Sequence, residues 1–348
     1  MPLIDSFGRR IEYLRMSVTD KCDLRCVYCM PPSGVALRSH DEVLRNEEFA
    51  RVARVAVGLG ITKIRVTGGE PLVRRGIVDL VREIAAIPGL RDLAMTTNGQ
   101  RLDVLAGDLV RAGLRRVNVS LDSMRPDTYS NITRGGDLAR VISGIAAAER
   151  SELVPIRLNV VVLGGVNDGE IEDFARLTFA KPWDVRFIEA MPFAGRLRQV
   201  ESRHVPIAEV RARVAALARH GLERLPTPGG ENSSDWQWPG GHGGLSMGPA
   251  DYARLPGAVG RVGFIGYSGH EEGFCSMCNR LRITCDGKVR PCLVERRSVD
   301  LRGPLRGGAS DEELAEVIVS AVRAKPAGRN VTPGGHAEVA DSMNQVGG

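Results

Sequence analysis

The chain has 348 residues, of which 43% are hydrophobic and 26% are charged, and its formal net charge is +5. The sequence lacks the run of about 18 apolar residues that a membrane-spanning helix needs, and an early acid interrupts the N-terminus where a signal peptide would be apolar. We therefore expect a soluble, cytoplasmic protein without a membrane or nucleic-acid partner, because the basic residues are spread along the chain and form no dense tract.

Up to about residue 220, β-branched runs alternate with amphipathic helical stretches. Roughly six such βα units predict a parallel sheet, with functional loops after the C-terminal ends of the strands. Periodicity alone does not separate a barrel from a doubly wound sheet. The predicted strands cover residues 11–18, 63–66, 92–96, 116–121, 156–162 and 185–189, and the predicted helices cover residues 47–59, 77–87, 103–112, 138–149, 170–179 and 207–219.

The C-terminal part has a different composition. Residues 226–256 are rich in Gly, Pro, Ser and Asn, which predicts a linker or a hairpin insertion. We place a domain boundary near residue 220, giving domains of residues 1–220 and 221–348, and we expect a flexible tail at Gly347 and Gly348. Further strands are predicted at 259–265, 281–284 and 288–290, with a turn at Asp286 and Gly287, and a helix is predicted at 311–324.

The seven cysteines fall mainly into two tight groups, which in a reducing compartment indicates metal ligation. Cys22, Cys26 and Cys29 have the spacing CxxxCxxC directly after the first predicted strand. Three thiolates can bind three irons of a [4Fe–4S] cluster and leave the fourth iron open to an exogenous group. A zinc knuckle is the alternative, but a nearby fourth Cys or His is missing from this loop.

The second group, Cys275, Cys278 and Cys292, again supplies three thiolates. Cys285 lies between them on a predicted strand, where its side chain shares a face with apolar neighbours, which favours a buried core thiol. It nonetheless remains a competing ligand candidate, because a CxxC pair with two further cysteines can complete a Cys₄ zinc site. The three-cysteine interpretation predicts a second cluster with an open iron.

The CxxxCxxC loop, with Tyr28 before its last cysteine, resembles the signature of the radical S-adenosylmethionine (SAM) superfamily. The segment Gly68-Gly69-Glu70-Pro71, after the next predicted strand, resembles that superfamily's SAM-binding GGEP element. The resemblance implies an α/β fold, a partial (βα)6 barrel of parallel strands with a small C-terminal α+β extension carrying a second Fe–S cluster. It also implies that SAM binds the open iron of the first cluster and is cleaved to a 5′-deoxyadenosyl radical.

A closer resemblance, covering nearly the whole chain, is to the GTP 3′,8-cyclase family of molybdenum cofactor biosynthesis. The tail MNQVGG is also similar to that family's Gly-Gly terminus. The segments that carry the resemblance are LRMSVTD at 14–20, IRVTGGEP at 64–71, TTNG at 96–99, NVSLD at 118–122, RFIEAMP at 186–192, CNRLR at 278–282 and DGKVRPCL at 286–293.

The resemblance implies roles for individual residues. The first three cysteines would hold the cluster that binds SAM, and the second three would hold an auxiliary [4Fe–4S] cluster. Arg15 is also a candidate catalytic residue, and Arg157 stands where we expect a lysine in the family. The implied SAM-binding residues are Tyr28, Gly69, Ser120 and Met191, and the implied GTP-binding residues are Arg15, Arg65, Thr96, Arg157, Arg186, Arg280, Leu281 and Arg282.

The implied reaction is the cyclisation of GTP to (8S)-3′,8-cyclo-7,8-dihydroguanosine 5′-triphosphate, the first step of molybdenum cofactor biosynthesis. The radical would remove the 3′ hydrogen of the ribose, and the ribose carbon would then attack C8 of guanine. The implied partners are GTP, an electron donor of unknown identity and the next enzyme of the pathway, and a homodimer is possible.

Two other interpretations remain open at this point. A radical SAM enzyme that modifies peptides would also carry an auxiliary C-terminal cluster, although such regions usually hold more cysteines. A non-catalytic Fe–S or zinc protein that binds a partner is the second, and the aromatic content of 5% argues against a nucleic-acid surface of stacking residues.

Overall fold

The computed structural model describes residues 2–191, 202–225, 250–266, 275, 278–293, 295, 297–328 and 343–346. Within these ranges the chain forms one twelve-stranded sheet, and helices pack against it through a continuous apolar core. None of the helices in these ranges has the length and apolar character that crossing a membrane requires.

The centre of the sheet consists of six parallel strands in sequence order, each followed by at least one helix. The strands are β1 Tyr13–Ser17, β2 Lys63–Thr67, β3 Asp92–Thr97, β4 Arg116–Ser120, β5 Arg157–Val162 and β6 Asp184–Glu189. The helices are α1 Asn46–Gly58, α2 Ile77–Ala85, α3 Leu102–Arg111, α4 Pro126–Thr133, α5 Leu138–Arg150, α6 Ile171–Ala180 and α7 Ile207–Ala215.

The strands after residue 220 continue the same sheet at both edges. The strands are β7 Glu223–Arg224, β8 Asp251–Arg254, β9 Arg261–Ile265, β10 Arg280–Ile283, β11 Lys288–Arg290 and β12 Val299–Asp300, and the helices are α8 Arg302–Arg306, α9 Asp311–Arg323 and α10 Met343–Val346. Strand β10 pairs in parallel with β1, and β9 pairs in parallel with β6. Antiparallel strands then complete each edge.

The α/β fold with a parallel, partial-barrel sheet and strands in the C-terminal extension is confirmed. The domain boundary near residue 220 stays a prediction, and strands from both sides of it share one sheet. Most of the predicted linker or hairpin insertion, residues 226–249, lies outside the described residues, and so do Gly347 and Gly348 of the predicted tail. The described end of the insertion includes strand β8.

The two faces of the central strands differ in polarity because side chains alternate along each strand. One set, which includes Leu14, Met16, Ile64 and Val66, joins the apolar core. The other set is polar and buried, which is unusual in a parallel sheet covered on its outer face by helices. The members of the polar set on β1 to β6 include Tyr13, Arg15, Lys63, Arg65, Asp92, Arg116, Asn118, Arg157, Asp184 and Arg186.

Local signals explain where the helices start and stop. Helix α1 begins where the side chain of Glu48 accepts a hydrogen bond from the N–H of Arg45 at 2.7 Å, and it buries an apolar stripe that includes Phe49, Val52 and Ala56. Helix α4 was not predicted, because its sequence, PDTYSNIT, has a weak apolar period. A proline in its first turn supports the helix start, since that position needs no N–H donor.

Candidate active site between two cysteine groups

The first cysteine group lies on the loop that follows β1. Cys22, Cys26 and Cys29 have half-buried thiols that form no disulfide bond, and the N–H of Cys29 donates to the carbonyl of Cys26 at 2.9 Å, which makes the loop compact. Burial raises the pKa of Cys22 to about 12 and also raises the pKa of Cys26. The thiolates that a cluster requires would therefore be stabilised here by the positive charge of the irons.

The Gly68-Gly69-Glu70-Pro71 loop packs directly on the backbone of the cysteine loop. The N–H of Gly69 donates to the carbonyl of Thr19 at 2.7 Å, and the N–H of Glu70 donates to the carbonyl of Lys21 at 2.8 Å. A Cβ atom at Gly69 would lie 2.3 Å from the Lys21 oxygen. Both loops can approach this closely only because position 69 has no side chain.

The carboxylate of Glu70 holds the same loop to the end of β3. It accepts hydrogen bonds from the N–H of Leu72 at 2.9 Å, from the N–H of Asn98 at 2.6 Å and from the hydroxyl of Thr97 at 2.8 Å. Burial nevertheless raises the pKa of Glu70 to about 7. The loop is thus fixed at the C-terminal ends of β2 and β3.

The other predicted SAM-binding residues lie at the same end of the strands. Ser120 is the last residue of β4, and Met191 follows the end of β6. The hydroxyl of Tyr28 donates to Asp122 at 2.7 Å, and Asp122 also accepts from the N–H of Val161 at 2.8 Å. These contacts connect the cysteine loop to β4 and β5. The pKa of Asp122 is raised to about 6 by burial.

The second cysteine group lies at the opposite end of the sheet's inner face. Cys278 precedes β10, and Cys292 follows β11, which runs antiparallel to β10. Because β10 is parallel to β1, Cys278 lies beside the start of β1, whereas Cys22 follows its end. The five residues of β1 span roughly 16 Å at the usual rise per residue. This length is the approximate separation of the two strand ends.

A cavity of about 220 Å³ lies between the two groups. Tyr28 and Met191 from the predicted SAM site line it, and so do Cys275, Cys278 and Cys292. The predicted GTP-binding residues in its wall are Arg15, Arg65, Thr96, Arg186, Arg280 and Arg282. The structure therefore brings together most of the predicted site residues.

The arginines are joined by a polar network within the cavity wall. The amide orientation of Asn118, assigned from its neighbours, lets its oxygen accept from Arg186 at 2.6 Å and from Arg65. Arg186 also donates to Asn159. Among the described residues, the hydroxyl of Thr96 and the Nε atoms of Arg65 and Arg186 are buried without a hydrogen-bond partner. Such groups suit a bound polar ligand.

Burial and mutual repulsion weaken the protonated state of these arginines. Burial, followed by the charge of Arg282, lowers the pKa of Arg15 to about 9. The pKa of Arg282 is lowered to about 10 by burial and then by the charge of Arg280, and burial also lowers the pKa of Arg65. A polyanionic ligand would relieve this repulsion, and guanidinium groups bind phosphate oxygens in a bidentate manner.

Two predicted GTP-binding residues lie away from the cavity wall. Arg157 is 3% exposed and donates to Asp184 at 2.9 Å, while Arg261 contacts the same carboxylate at 2.7 Å. Burial opposes protonation of Arg157, but the net effect of Tyr252 and Asp184 raises its pKa. Leu281 has its side chain in the apolar core, on the face opposite to Arg280 and Arg282. Their substrate roles remain predictions.

Cys285 lies in the core rather than with the other cysteines. It is fully buried, its carbonyl accepts from the N–H of Leu44 at 2.8 Å, and burial raises the pKa of its thiol to about 12. It does not line the cavity that contains Cys275, Cys278 and Cys292. This position agrees with the interpretation of a buried core thiol.

The chemistry of the donor sets fits iron–sulfur clusters. Within the described ranges, no three Cys, His, Asp or Glu side chains converge tightly enough for a single metal ion. Cluster thiolates each bind a different iron and are therefore more widely spaced than the ligands of one ion. Cys22, Cys26 and Cys29 would hold one cluster, and Cys275, Cys278 and Cys292 would hold the other.

Sequence reasoning missed several residues that line the cavity: Arg9, Tyr13, Asn159, Glu189 and Lys325. Tyr13 and Asn159 stand two positions from Arg15 and Arg157, so strand alternation could have placed them on the inner face. Glu189 is fully buried and contacts His204 Nε2 at 2.5 Å. Arg9 and Lys325 carry no local signal, because only tertiary packing brings them to the cavity.

Two family models match different parts of the chain. The model described as "Radical SAM superfamily" matches residues 16–178, and the model described as "Molybdenum Cofactor Synthesis C" matches residues 244–331. The solved structure of Streptococcus suis SuiB bound to S-adenosylmethionine superposes with a TM-score of 0.59 at 13% identity, covering 88% of this chain and 68% of that chain. This likeness supports the fold.

Full-length relatives define the family more narrowly. The chain is 48% identical to the GTP 3′,8-cyclase of Heliobacterium modesticaldum over 99% of this chain and 100% of the relative. It is 47% identical to the enzyme of that name from Moorella thermoacetica, over 99% of both chains, and 46% identical to that from Geobacter sulfurreducens, over 100% of both. These matches extend through both cysteine groups and the cavity between them, and the chain accordingly belongs to the GTP 3′,8-cyclase family of radical SAM enzymes.

Proposed function

We propose that this chain converts GTP to (8S)-3′,8-cyclo-7,8-dihydroguanosine 5′-triphosphate, the first step of molybdenum cofactor biosynthesis. The proposed cofactors are SAM and two [4Fe–4S] clusters. The observation that carries the proposal is one cavity lined at once by Tyr28 and Met191, by a set of arginines and by Cys275, Cys278 and Cys292. Full-length similarity to GTP 3′,8-cyclases supports the same conclusion.

The electrostatics of the cavity suit a nucleoside triphosphate. Arg282, Arg15 and Arg65 lie on the adjacent strands β10, β1 and β2, and Arg186 on β6 lines the same cavity. Burial increases the strength of their interaction with an anion. We assign the triphosphate to these guanidinium groups. The guanine would then lie towards the second cysteine group, whose open iron would face the base.

The SAM site is assigned to the other end of the cavity. Cys22, Cys26 and Cys29 would hold the first cluster, with Tyr28, Gly69, Ser120 and Met191 around SAM. When bound, the cluster and SAM supply the radical chemistry. The chain itself orients the ribose, neutralises the phosphates and excludes water, which is the usual division of work between a protein and a reactive cofactor.

Arg15 lines the cavity, whereas Arg157 does not. We propose that Arg15 contacts the substrate and acts catalytically by fixing the reacting nucleotide, since it lines the cavity next to Arg282, its register partner on β10. We propose that Arg157 contacts the substrate only after its ion pair with Asp184 rearranges, because its guanidinium is engaged in that pair in this structure. Leu281 would contact GTP through its backbone.

The decisive experiment is an anaerobic assay of the reconstituted protein. SAM, a reductant and each of the four ribonucleoside triphosphates are supplied separately, and 5′-deoxyadenosine and cyclised nucleotide are measured. We expect the cyclised product only in the reaction that contains GTP, and not with the other three triphosphates. Deoxyadenosine formation without any cyclised nucleotide would reject GTP as the substrate, and a Cys22→Ala variant provides the background for SAM cleavage.

The proposal extends to partners and organisation. The reaction needs an external electron donor, and its product would pass to the next enzyme of the pathway. We also propose a cytoplasmic location, assembly as a homodimer and a domain division near residue 220. Light scattering of the reconstituted protein tests the homodimer, and limited proteolysis tests whether cleavage begins near residue 220.

A further inference from the structure

Two buried cations from opposite ends of the chain converge on the second cysteine group. Arg9 lies in the N-terminal segment, and Lys325 follows helix α9 near the C-terminus. Both line the cavity beside Cys275, Cys278 and Cys292. Neither belongs to the residues assigned above to SAM, GTP or a cluster.

Lys325 connects the start of β10, which follows Cys278, to the segment after β11 that contains Cys292. Lys325 is only 3% exposed. Its Nζ atom donates to the carbonyl of Arg280 at 2.8 Å and to the carbonyl of Pro291 at 2.6 Å. Arg280 is two residues after Cys278, and Pro291 directly precedes Cys292. One ammonium group thus fixes the backbone next to two of the three cysteines.

The third donor of the ammonium group faces sulfur. An ammonium has three N–H donors, and the two carbonyls use two of them. The thiol of Cys278 is within hydrogen-bonding reach of Lys325. A buried ammonium is costly unless it is fully hydrogen-bonded, so the arrangement of two carbonyls and one sulfur defines the position of Lys325 closely.

Arg9 fixes the remaining cysteine. One Nη1 atom donates to the carbonyl of Cys275 at 2.7 Å and to that of Ala327 at 3.0 Å, and Nη2 donates to the carbonyl of Pro326 at 2.6 Å. The Nε atom of Arg9 pairs with Asp5 at 2.5 Å, which orients the guanidinium. Arg9 therefore ties Cys275 to the segment that contains Lys325.

We infer that Lys325 and Arg9 form a clamp that positions Cys275, Cys278 and Cys292 for the auxiliary cluster, and that the Lys325 ammonium raises the reduction potential of this cluster. Positive charge and hydrogen bonds to cluster sulfurs favour the reduced, more negative state. Because the carbonyl of Arg280 is one of its acceptors, Lys325 also fixes the start of β10, from which Arg280 and Arg282 enter the cavity. The inference rests on the proposed cluster at the second cysteine group.

The test uses Lys325→Met, Lys325→Gln and Lys325→Arg, each reconstituted anaerobically, with Lys288→Met as the control. Lys288 is a more exposed lysine in the same extension, where it pairs with Asp286. A second set carries Cys22→Ala, Cys26→Ala and Cys29→Ala, so that only the auxiliary cluster remains. The measurements are iron per chain, the rate of iron loss to a chelator and the midpoint potential followed by electron paramagnetic resonance.

We expect Lys325→Met to lose auxiliary-cluster iron roughly 10- to 100-fold faster than wild type, as is typical when a residue supporting metal ligands is removed. Its potential should become more negative. Lys325→Arg should recover most of both properties, and Lys288→Met should match wild type. If Lys325→Met does not fold, Lys325→Gln decides the matter, because it keeps donors for the carbonyls but removes the charge.

Two outcomes would overturn the inference. One is a folded Lys325→Met protein with wild-type iron retention and potential, and the other is a Lys325→Gln protein with an unchanged potential. Failure of the proposed function is distinguishable, because wild-type protein would then form no cyclised nucleotide from GTP, whatever the Lys325 variants do. Absence of the second cluster itself would show as about four irons per wild-type chain and not about eight. Arg9→Met tests the second arm of the clamp and should likewise accelerate iron loss.

Discussion

Arg280 and Arg282 alternate along β10 so that both side chains enter the cavity, whereas Leu281 between them joins the core. We expect Arg280→Ala or Arg282→Ala to weaken GTP binding by about 1.5–3 kcal/mol, the usual loss for a hydrogen bond to a charged group. SAM affinity should not change, because the SAM residues lie at the other strand ends. Anaerobic calorimetry with each ligand measures both affinities.

The control for these variants is Arg111→Ala, which removes an exposed arginine that pairs with Asp108 at the end of α3. It should leave both affinities at the wild-type level. Wild-type GTP affinity in both cavity variants would mean that the triphosphate binds elsewhere.

Tyr13 is a buried phenol between two cations, with Lys63 5.4 Å and Arg65 5.5 Å from its ring centre. Burial by itself would raise its pKa, but Arg65, Arg15 and Lys63 lower the pKa to about 7. The unfolded state keeps a pKa of about 10, so it binds more protons between pH 7 and 10. Folding stability attributable to Tyr13 should therefore rise with pH across this window.

Tyr13→Phe tests this sign directly. Urea unfolding at pH 7 and pH 9 should show a larger stability gain for wild type than for the variant, and tyrosinate absorbance should appear near pH 7 in wild type alone. Equal pH dependence in the two proteins would show that Tyr13 remains a neutral phenol. Tyr129 makes a suitable comparison, since burial raises its pKa and it should not ionise in this range.

At the scale of elements, the contact between the cysteine loop and the Gly68-Gly69-Glu70-Pro71 loop has no spare space. A Cβ atom at Gly69 would lie 2.3 Å from the oxygen of Lys21 and 2.8 Å from that of Asp20. Since both neighbours are backbone atoms, Gly69→Ala must displace the cysteine loop. We expect a loss of about 1–3 kcal/mol in stability, as for other overpacked sites, with loss of SAM binding.

Gly169→Ala is the matched control, because a Cβ atom there meets nothing within 4 Å. Thermal unfolding measures the stability of both variants, and iron content with SAM titration reports on the first cluster. Normal SAM binding in Gly69→Ala would show that the two loops can separate without consequence.

Local sequence patterns predicted most of these elements, because each βα unit is coded by its own apolar period. Strand β2 begins at Lys63 as predicted, and β9 begins at Arg261, two residues after the predicted start. The short helix α4 was missed, since its sequence has little periodicity. Strand order was also beyond reach: nothing local in residues 280–283 indicates that β10 pairs with β1 across the whole length of the chain.

Only part of the candidate site could be predicted from the sequence. The motifs gave the cysteines and most cavity arginines, because those residues stand in contiguous segments with recognisable spacing. Lys325 and Arg9 could not be predicted, as their partners are backbone carbonyls distant in sequence. The ion pair of Arg157 with Asp184 was equally hidden, since the predicted strand at 185–189 began one residue after Asp184, which in the structure opens β6 beside Arg157 of β5.

For the whole molecule, the pairing of β10 with β1 places the C-terminal cysteine group in the wall of a cavity that Tyr28 of the N-terminal cysteine loop also lines. Under the proposed assignment of the two clusters, the chain would separate formation of the radical from binding of the base. Residues of the central strands lie between the two groups, so we expect the loss of each group to have a different effect on the reaction. This arrangement leads to different expectations for the two sets of cysteines.

Changing Cys22, Cys26 or Cys29 to Ala should abolish SAM cleavage, because in the proposed assignment the cluster on that loop would supply the open iron that binds SAM. Changing Cys275, Cys278 or Cys292 to Ala should leave slow SAM cleavage without cyclised nucleotide, since guanine would no longer be held. Cys285→Ala, in the core, should behave nearly as wild type apart from a modest stability loss. Separate assays of 5′-deoxyadenosine and cyclised nucleotide, under reductant and without oxygen, distinguish these cases. Full cyclisation by Cys275→Ala would limit the second group to a structural role, and loss of cyclisation in a folded Cys285→Ala protein would make Cys285 a ligand.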